Sequence, residues 1–98
     1  MSGDGGGEGD RVARRVEVSG RVQGVFFRDS CREEAAAAGI AGWVRNTPQG
    51  TVEAWFEGAP EQVDRLVDWC RHGPRQADVD DVSVHEEAPT GAEGFGVR

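Results

Sequence analysis

The chain has 98 residues, a length typical of a single domain, and 37% of them are hydrophobic. Its formal net charge of −7 argues against nucleic acid as a partner, because such binding depends on neutralising phosphates with basic residues. No stretch approaches the roughly 18 to 20 apolar residues of a membrane span, and no apolar signal region begins the chain. We therefore expect a cytoplasmic protein without a membrane partner.

The first twelve residues are expected to form a disordered tail, followed by one domain over residues 13–98. The opening run MSGDGGGEGD is rich in glycine and acidic residues and has no apolar anchor apart from its first residue. From Arg14, the run RRVEVSG alternates in polarity and places Val16 and Val18 on one face. This alternation predicts the first strand.

A glycine-containing loop, GRVQGVFFRDS from Gly20 to Ser30, follows that strand and leads into the first predicted helix. The helix is indicated by a buried stripe at helical spacing, and Gly39 stands where a left-handed residue is wanted to end it. The members of the stripe are Phe27, Cys31, Ala35 and Ala38.

A hairpin is predicted next. GWVRN predicts a short strand from Gly42 to about Arg45, and TPQG has the composition of a turn. TVEAWFEG alternates again, which predicts a strand with one face in the core. The core face carries Val52, Ala54 and Phe56, and the other face carries Thr51, Glu53, Trp55 and Glu57.

The second half of the chain repeats the helix and strand pattern. A helix is predicted to start at Ala59-Pro60 and to stop at Gly73-Pro74, with Val63, Leu66, Val67 and Cys70 as its apolar stripe. DVDDVSVHE predicts a fourth strand, and a last short strand is expected from about Gly94 to Arg98. Apart from that terminal piece, the order is β-α-β-β-α-β, the split βαβ pattern. We expect an antiparallel sheet with two helices on one face and a more open face around Trp55.

The loop from Gly20 to Arg28 has the composition of an anion-binding site. Glycines at positions 20 and 24 permit backbone angles that turn successive amides toward one point, at the positive end of a helix dipole. Such a concave arrangement binds a phosphate or carboxylate oxygen. Arg28, in the first helical turn, is placed to close over the same anion, and Asn46 at the end of the second strand is placed to hold a water.

A less specific interpretation of the same loop remains open. Glycine loops before helices are often only turns, and Arg28 could be a solvated residue in a surface ion pair. No carboxylate stands three or four residues after Arg28, because those positions are Cys31 and Arg32. The ion-pair alternative is therefore weakened but not excluded.

Two cysteines, Cys31 near the start of the first helix and Cys70 at the end of the second, match no zinc-binding spacing. The two helices of a split βαβ fold run antiparallel, so these thiols could approach each other. We expect them to be reduced core residues, because disulfides are rare in the cytosol.

Several segments together resemble the acylphosphatase family. They are GRVQGVFFR, GWVRNTPQGTVEAWFEG, WCRHGP and VDDVSV, in the family's order and spacing, and the similarity runs from about Val16 to Phe95. The resemblance implies an α+β, ferredoxin-like sandwich. It also implies hydrolysis of acyl phosphates to a carboxylate and inorganic phosphate without a metal, and we expect no cofactor. The final segment, FGVR, is shorter than the family's usual last strand.

The resemblance also implies which residues form the site. Arg28 is the phosphate-binding arginine, Asn46 positions the attacking water, and the loop from Arg21 to Phe27 supplies amides to the phosphate. The expected phosphate-binding residues are Arg21, Val22, Gln23, Gly24, Val25, Phe26, Phe27 and Arg28.

Two other functions compete with this enzyme. A non-catalytic module could bind phosphate or another anion with the same loop, although an anion trap has no need of Asn46. A ferredoxin-like RNA binder could use the open sheet face, but the acidic charge and the lack of a basic stripe or aromatic cluster weigh against it. We expect a monomer that takes a small acyl phosphate and binds inorganic phosphate or sulfate as product-like ligands.

Overall fold

The computed structural model describes residues 11–98, so the first ten residues of the expected tail lie outside the described range. Every predicted helix and strand is present. In chain order they are β1 (Val12–Arg21), α1 (Phe27–Ala37), β2 (Ala41–Asn46), β3 (Val52–Gly58), α2 (Pro60–Cys70), β4 (Asp78–Glu87) and β5 (Phe95–Val97).

The strands form one sheet in the order β4-β1-β3-β2-β5. The pairs β4–β1, β1–β3 and β3–β2 are antiparallel, as the split βαβ pattern predicts. The short β5 pairs with β2 in parallel, so the whole sheet is mixed. The Phe95 ring stacks on the core residue Phe56, with centroids 5.9 Å apart, and this contact fixes β5 at the edge.

The core lies between the helices and one face of the sheet, and it is built from the predicted stripes. Sheet residues at alternate positions of β1 and β3 are buried, as are residues at helical spacing on α1 and α2. The sheet contributes Val16, Val18, Val52, Ala54 and Phe56, and the helices contribute Phe27, Cys31, Ala35, Val63, Leu66, Val67 and Cys70. Neither helix in the described range is long and apolar enough to cross a membrane.

Cys31 and Cys70 are both buried and unbonded, as expected for core thiols. The hydrogen bond with the Cys70 thiol, together with burial, raises the pKa of Cys31 well above its ordinary value. The thiol of Cys31 is therefore protonated at neutral pH and is a poor nucleophile.

The face away from the helices is less open than the sequence predicts. Trp43 and Trp55 lie opposite each other on β2 and β3 on this face, where Arg98 covers the Trp43 ring at 4.5 Å from its centroid. Glu57 lies on the same face, as its position in the alternation predicts, yet none of its surface is exposed. The segment between β4 and β5 covers it.

Six hydrogen bonds hold the buried Glu57 carboxylate. Trp55 Nε1 donates at 2.9 Å and Arg11 Nε at 3.1 Å, while the remaining donors lie in the covering segment. These are the amides of Thr90, Gly91 and Ala92 at 3.0, 2.7 and 3.3 Å, and the Thr90 hydroxyl at 3.0 Å. Burial raises the pKa of Glu57, but the hydrogen bonds outweigh burial and lower its pKa to about 2.

Candidate functional site

Gly20, the first glycine of the loop motif, serves the sheet. The pairing of β1 with β4 shifts register between Ser19 and Gly20, and Gly20 has a φ of 119°. A Cβ atom at this position would lie 2.3 Å from the carbonyl oxygen of Asp78. Only glycine fits this bulge, so Gly20 does not shape the anion loop in the way the sequence suggested.

Gly24 and Phe26 shape the loop itself. Both have left-handed backbone angles, with φ of 75° at Gly24 and 65° at Phe26, and Phe26 is the residue that precedes α1. A left-handed angle at a non-glycine residue costs about 1 to 2 kcal/mol. Phe27, the residue after Phe26, is anchored in the core by its buried ring, which packs on Trp69 at a centroid distance of 5.1 Å.

The backbone amides of this segment are unpaired. Within the described part of the chain, the first backbone hydrogen bond of α1 runs from the Ser30 amide to the Phe26 carbonyl at 3.0 Å. The amides of residues 24 to 29 donate no hydrogen bond to any residue of that part, and Phe26 provides no side-chain cap. A row of free donors therefore stands at the positive end of the helix dipole.

The Gln23 side chain connects the loop to the β2–β3 turn. Its Nε2 donates to the carbonyl oxygens of Thr47 and Thr51, at 2.9 and 2.8 Å. The turn is closed by the Thr47 amide bonding to the Thr51 carbonyl at 2.9 Å and by paired threonine hydroxyls at 2.7 Å. Because Asn46 directly precedes this turn, Gln23 fixes Asn46 relative to the loop.

The loop, α1 and the end of β2 enclose a cavity of about 250 Å³. Two buried side-chain atoms of residues that line this cavity have no hydrogen-bond partner among the described residues: Arg28 Nε, a donor, and Asn46 Oδ1, an acceptor. Arg28 also forms no ion pair with any residue from 11 to 98, which goes against the surface ion-pair interpretation within that range. The lining residues are Val22, Gly24, Phe26, Phe27, Arg28, Asp29 and Asn46.

Three of the residues expected to bind phosphate do not line the cavity. Arg21 is the last residue of β1 and pairs with Asp78 of β4. The Gln23 side chain is committed to the turn, and Val25 is buried in the core. The structure therefore brings Arg28 and Asn46 together with Val22, Gly24, Phe26 and Phe27 of the expected set.

The sequence analysis did not predict that Asp29 lines the site or that Thr47 and Thr51 hold the adjacent turn. Asp29 follows Arg28 directly and lines the cavity. Its negative charge is stabilised by the helix dipole but repels a bound anion. The position of Asp29 directly after Arg28 could have predicted that it lies at the site. The bond from Gln23 to Thr47 spans 24 positions, and no local pattern indicates it. Among residues 11–98, no three His, Cys, Asp or Glu side chains are grouped as metal ligands would be.

Comparison with known proteins shows the family to which the chain is similar. The acylphosphatase family model matches residues 14–97. The acylphosphatase of Rubrobacter xylanophilus is 62% identical over 85 residues, covering 86% of this chain and 77% of that protein. The acylphosphatase of Gloeobacter violaceus is 54% identical over 86 residues, covering 88% and 92%.

A solved structure agrees with these sequence relatives. The acylphosphatase of Coxiella burnetii superposes with a TM-score of 0.90 at 37% identity, and the match covers 100% of both chains. These findings favour an enzyme over the non-catalytic anion-binding module. The chain belongs to the acylphosphatase family and hydrolyses acyl phosphates.

Proposed function

We propose that the cavity binds the phosphoryl group of an acyl phosphate and that Arg28 and Asn46 divide the chemistry between them. The observation that carries the proposal is that two residues lining one cavity, Arg28 and Asn46, each have a buried atom, Nε and Oδ1, without a hydrogen-bond partner within residues 11–98. A buried donor and a buried acceptor without partners are each costly. A phosphoryl oxygen at Arg28 and a water at Asn46 would satisfy both.

The phosphoryl charge is taken up by the amides and Arg28. The cavity wall at the start of α1 includes Gly24 and residues 26 to 29, whose amides donate no hydrogen bond within residues 11–98, and the helix dipole favours an anion there. Arg28 adds a permanent positive charge and donors suited to two phosphoryl oxygens. These donors stabilise the charge of the transition state, which is the main requirement in phosphoryl transfer. We therefore propose that the reaction needs no metal.

Asn46 positions the attacking water. Its Oδ1 accepts a hydrogen bond from the water and holds it in line with the bond to the leaving carboxylate. A neutral amide is a poor base, so we propose that the water's proton passes to an oxygen of the substrate. The carboxylate is a good leaving group and needs little protonation. The bonds from Gln23 to the adjacent turn keep this geometry fixed.

The test is to measure the turnover of benzoyl phosphate and the inhibition constant of inorganic phosphate in two variants. Arg28→Gln is expected to lower kcat about 1000-fold and to abolish phosphate inhibition, because it removes charge and donors together. Asn46→Ala is expected to lower kcat about 100-fold while the inhibition constant changes less than about threefold. Wild-type turnover should persist in the presence of a metal chelator.

Matched controls lie close to each residue. Arg32→Gln removes an exposed arginine one turn further along α1, and Gln49→Ala changes an exposed residue of the β2–β3 turn; both should keep wild-type kinetics. Equal loss of phosphate affinity in Arg28→Gln and Asn46→Ala would contradict the division of roles. Loss of turnover with the chelator would contradict the metal-free reaction.

We also propose that the enzyme is a cytoplasmic monomer. Only three large apolar side chains of the described range are well exposed, Phe26, Val84 and Val97, so that range offers little apolar surface for association. Sedimentation analysis should give a single species near the chain mass of 10.5 kDa.

A further inference from the structure

Phe26 combines two unfavourable properties at the rim of the cavity. Its backbone is left-handed, with a φ of 65°, although glycine would adopt that angle without strain. The residue is 67% exposed, the highest value among the well-exposed large apolar residues in the range 11–98. Packing of the side chain therefore contributes little stability to offset the strained backbone. Backbone strain of this kind is concentrated at ligand sites.

The cavity leaves few surfaces for the acyl part of the substrate. With the phosphoryl group held by the amides and Arg28, the acyl group must extend from the cavity toward solvent. Val22 and Phe27 are both about 1% exposed, so their side chains belong to the core. Gly24 has no side chain and Asp29 carries a negative charge. Phe26 is the only apolar lining residue with an exposed side chain.

We infer that Phe26 is a specificity-determining residue that contacts the acyl group and favours acyl phosphates with an aromatic or other large apolar acyl group. The inference rests on the proposed function, because it assumes that the phosphoryl group lies in the cavity. An aromatic ring at the rim offers an aromatic acyl group a stacked or edge-to-face contact. An acetyl group is too small to make that contact, so the residue discriminates between the two substrates.

The experiment compares kcat/KM for benzoyl phosphate and for acetyl phosphate in wild type and three variants of Phe26. Phe26→Gly and Phe26→Asn remove the ring and still tolerate the left-handed backbone. Both are expected to lower the benzoyl-to-acetyl ratio of kcat/KM about five- to tenfold, mainly through KM for benzoyl phosphate. Phe26→Trp is expected to keep the wild-type ratio.

Two further measurements separate this inference from the proposed site. Val84→Ala shortens another exposed apolar residue, 38% exposed and not part of the cavity wall, and should leave the ratio unchanged. In Phe26→Asn the benzoyl-to-acetyl ratio should fall by a larger factor than the affinity for inorganic phosphate, because phosphate has no acyl group.

The result that overturns the inference is an unchanged ratio in Phe26→Gly and Phe26→Asn, whether both rates are retained or both fall together. That outcome does not contradict the proposed phosphate site, which is tested separately by Arg28→Gln. A wild-type protein that hydrolysed neither acyl phosphate would overturn the proposed function and this inference with it.

Discussion

Glu57 is the residue in which folding and charge are most tightly coupled. Its carboxylate is inaccessible to solvent and accepts six hydrogen bonds, four of them from the segment that covers it. The donors stabilise the charged form strongly enough that the pKa falls to about 2 despite burial. The carboxylate therefore links the β4–β5 segment to the sheet.

The lowered pKa of Glu57 predicts a specific loss of stability in acid. A group whose pKa is lower in the folded protein contributes stability above its unfolded pKa of about 4.3, and this contribution disappears as pH falls toward its folded pKa. We expect Glu57→Gln to be about 2 kcal/mol less stable than wild type at pH 7, because the neutral amide loses the hydrogen bonds that stabilise the carboxylate. The difference should shrink between about pH 4.5 and pH 2.

Urea unfolding at a series of pH values measures this difference. Glu86→Gln is the matched control, because the side chain of Glu86 is 85% exposed on β4. Parallel stability curves for wild type and Glu57→Gln from pH 5 to pH 2 would show that the carboxylate does not carry the acid dependence.

At the level of the elements, β1 and α1 each require a different glycine of the motif that joins them. Gly20 is confined by the Asp78 carbonyl in the β1–β4 bulge, whereas a Cβ atom at Gly24 would meet no other atom within 4 Å, and Gly24 lines the cavity. The first glycine is needed for strand pairing and the second for the direction of the loop amides.

This division predicts opposite effects of two alanine substitutions. Gly20→Ala should destabilise the fold by about 3 kcal/mol, because the new methyl group overlaps backbone atoms and the φ is unfavourable. Gly24→Ala should cost only about 1 kcal/mol in stability but weaken phosphate inhibition at least tenfold, because the loop leaves its left-handed angle. Thermal unfolding and phosphate inhibition of both variants provide the comparison. If Gly20→Ala and Gly24→Ala lost similar amounts of stability and bound phosphate equally well, the proposed difference between the two glycines would be wrong.

The elements themselves were predictable from the sequence, and the contacts between distant elements were not. The stripes of α1 and α2 and the alternation of β3 predict their buried residues, because each depends only on local periodicity. The parallel pairing of β5 with β2, the burial of Glu57 by Thr90 and the bond from Gln23 to Thr47 all join residues far apart in the chain. The composition of the loop and a family resemblance predicted the site residues, while the atoms of Arg28 and Asn46 that lack a partner among residues 11–98 became visible only in three dimensions.

For the whole molecule, the formal net charge is −7, although the proposed site binds an anion. Long-range attraction therefore does not draw the substrate in, and affinity must come from donors in contact with it. Three of the acidic residues lie in the first ten positions, and the described contacts begin with Arg11, which bonds to Glu57.

We propose that the N-terminal segment is dispensable for catalysis. Deletion of residues 1–10 should leave kcat/KM for benzoyl phosphate within about twofold and should not lower it, because it removes negative charge. Arg11→Ala in the full chain should instead cost about 1 kcal/mol of stability with unchanged turnover, since Glu57 keeps its other donors. A tenfold loss of turnover on deletion would assign the segment to the site.

The central claim is that free amides at the start of α1 and Arg28 hold a phosphoryl group. Titration of ¹⁵N-labelled protein with inorganic phosphate, followed by amide chemical shifts, tests it most directly. The largest saturating shifts should belong to the amides of residues 24 to 29 and to Arg28 Nε, and they should vanish in Arg28→Gln. Saturating shifts centred on another surface, such as the sheet face opposite the helices around Arg98, would contradict binding at the start of α1.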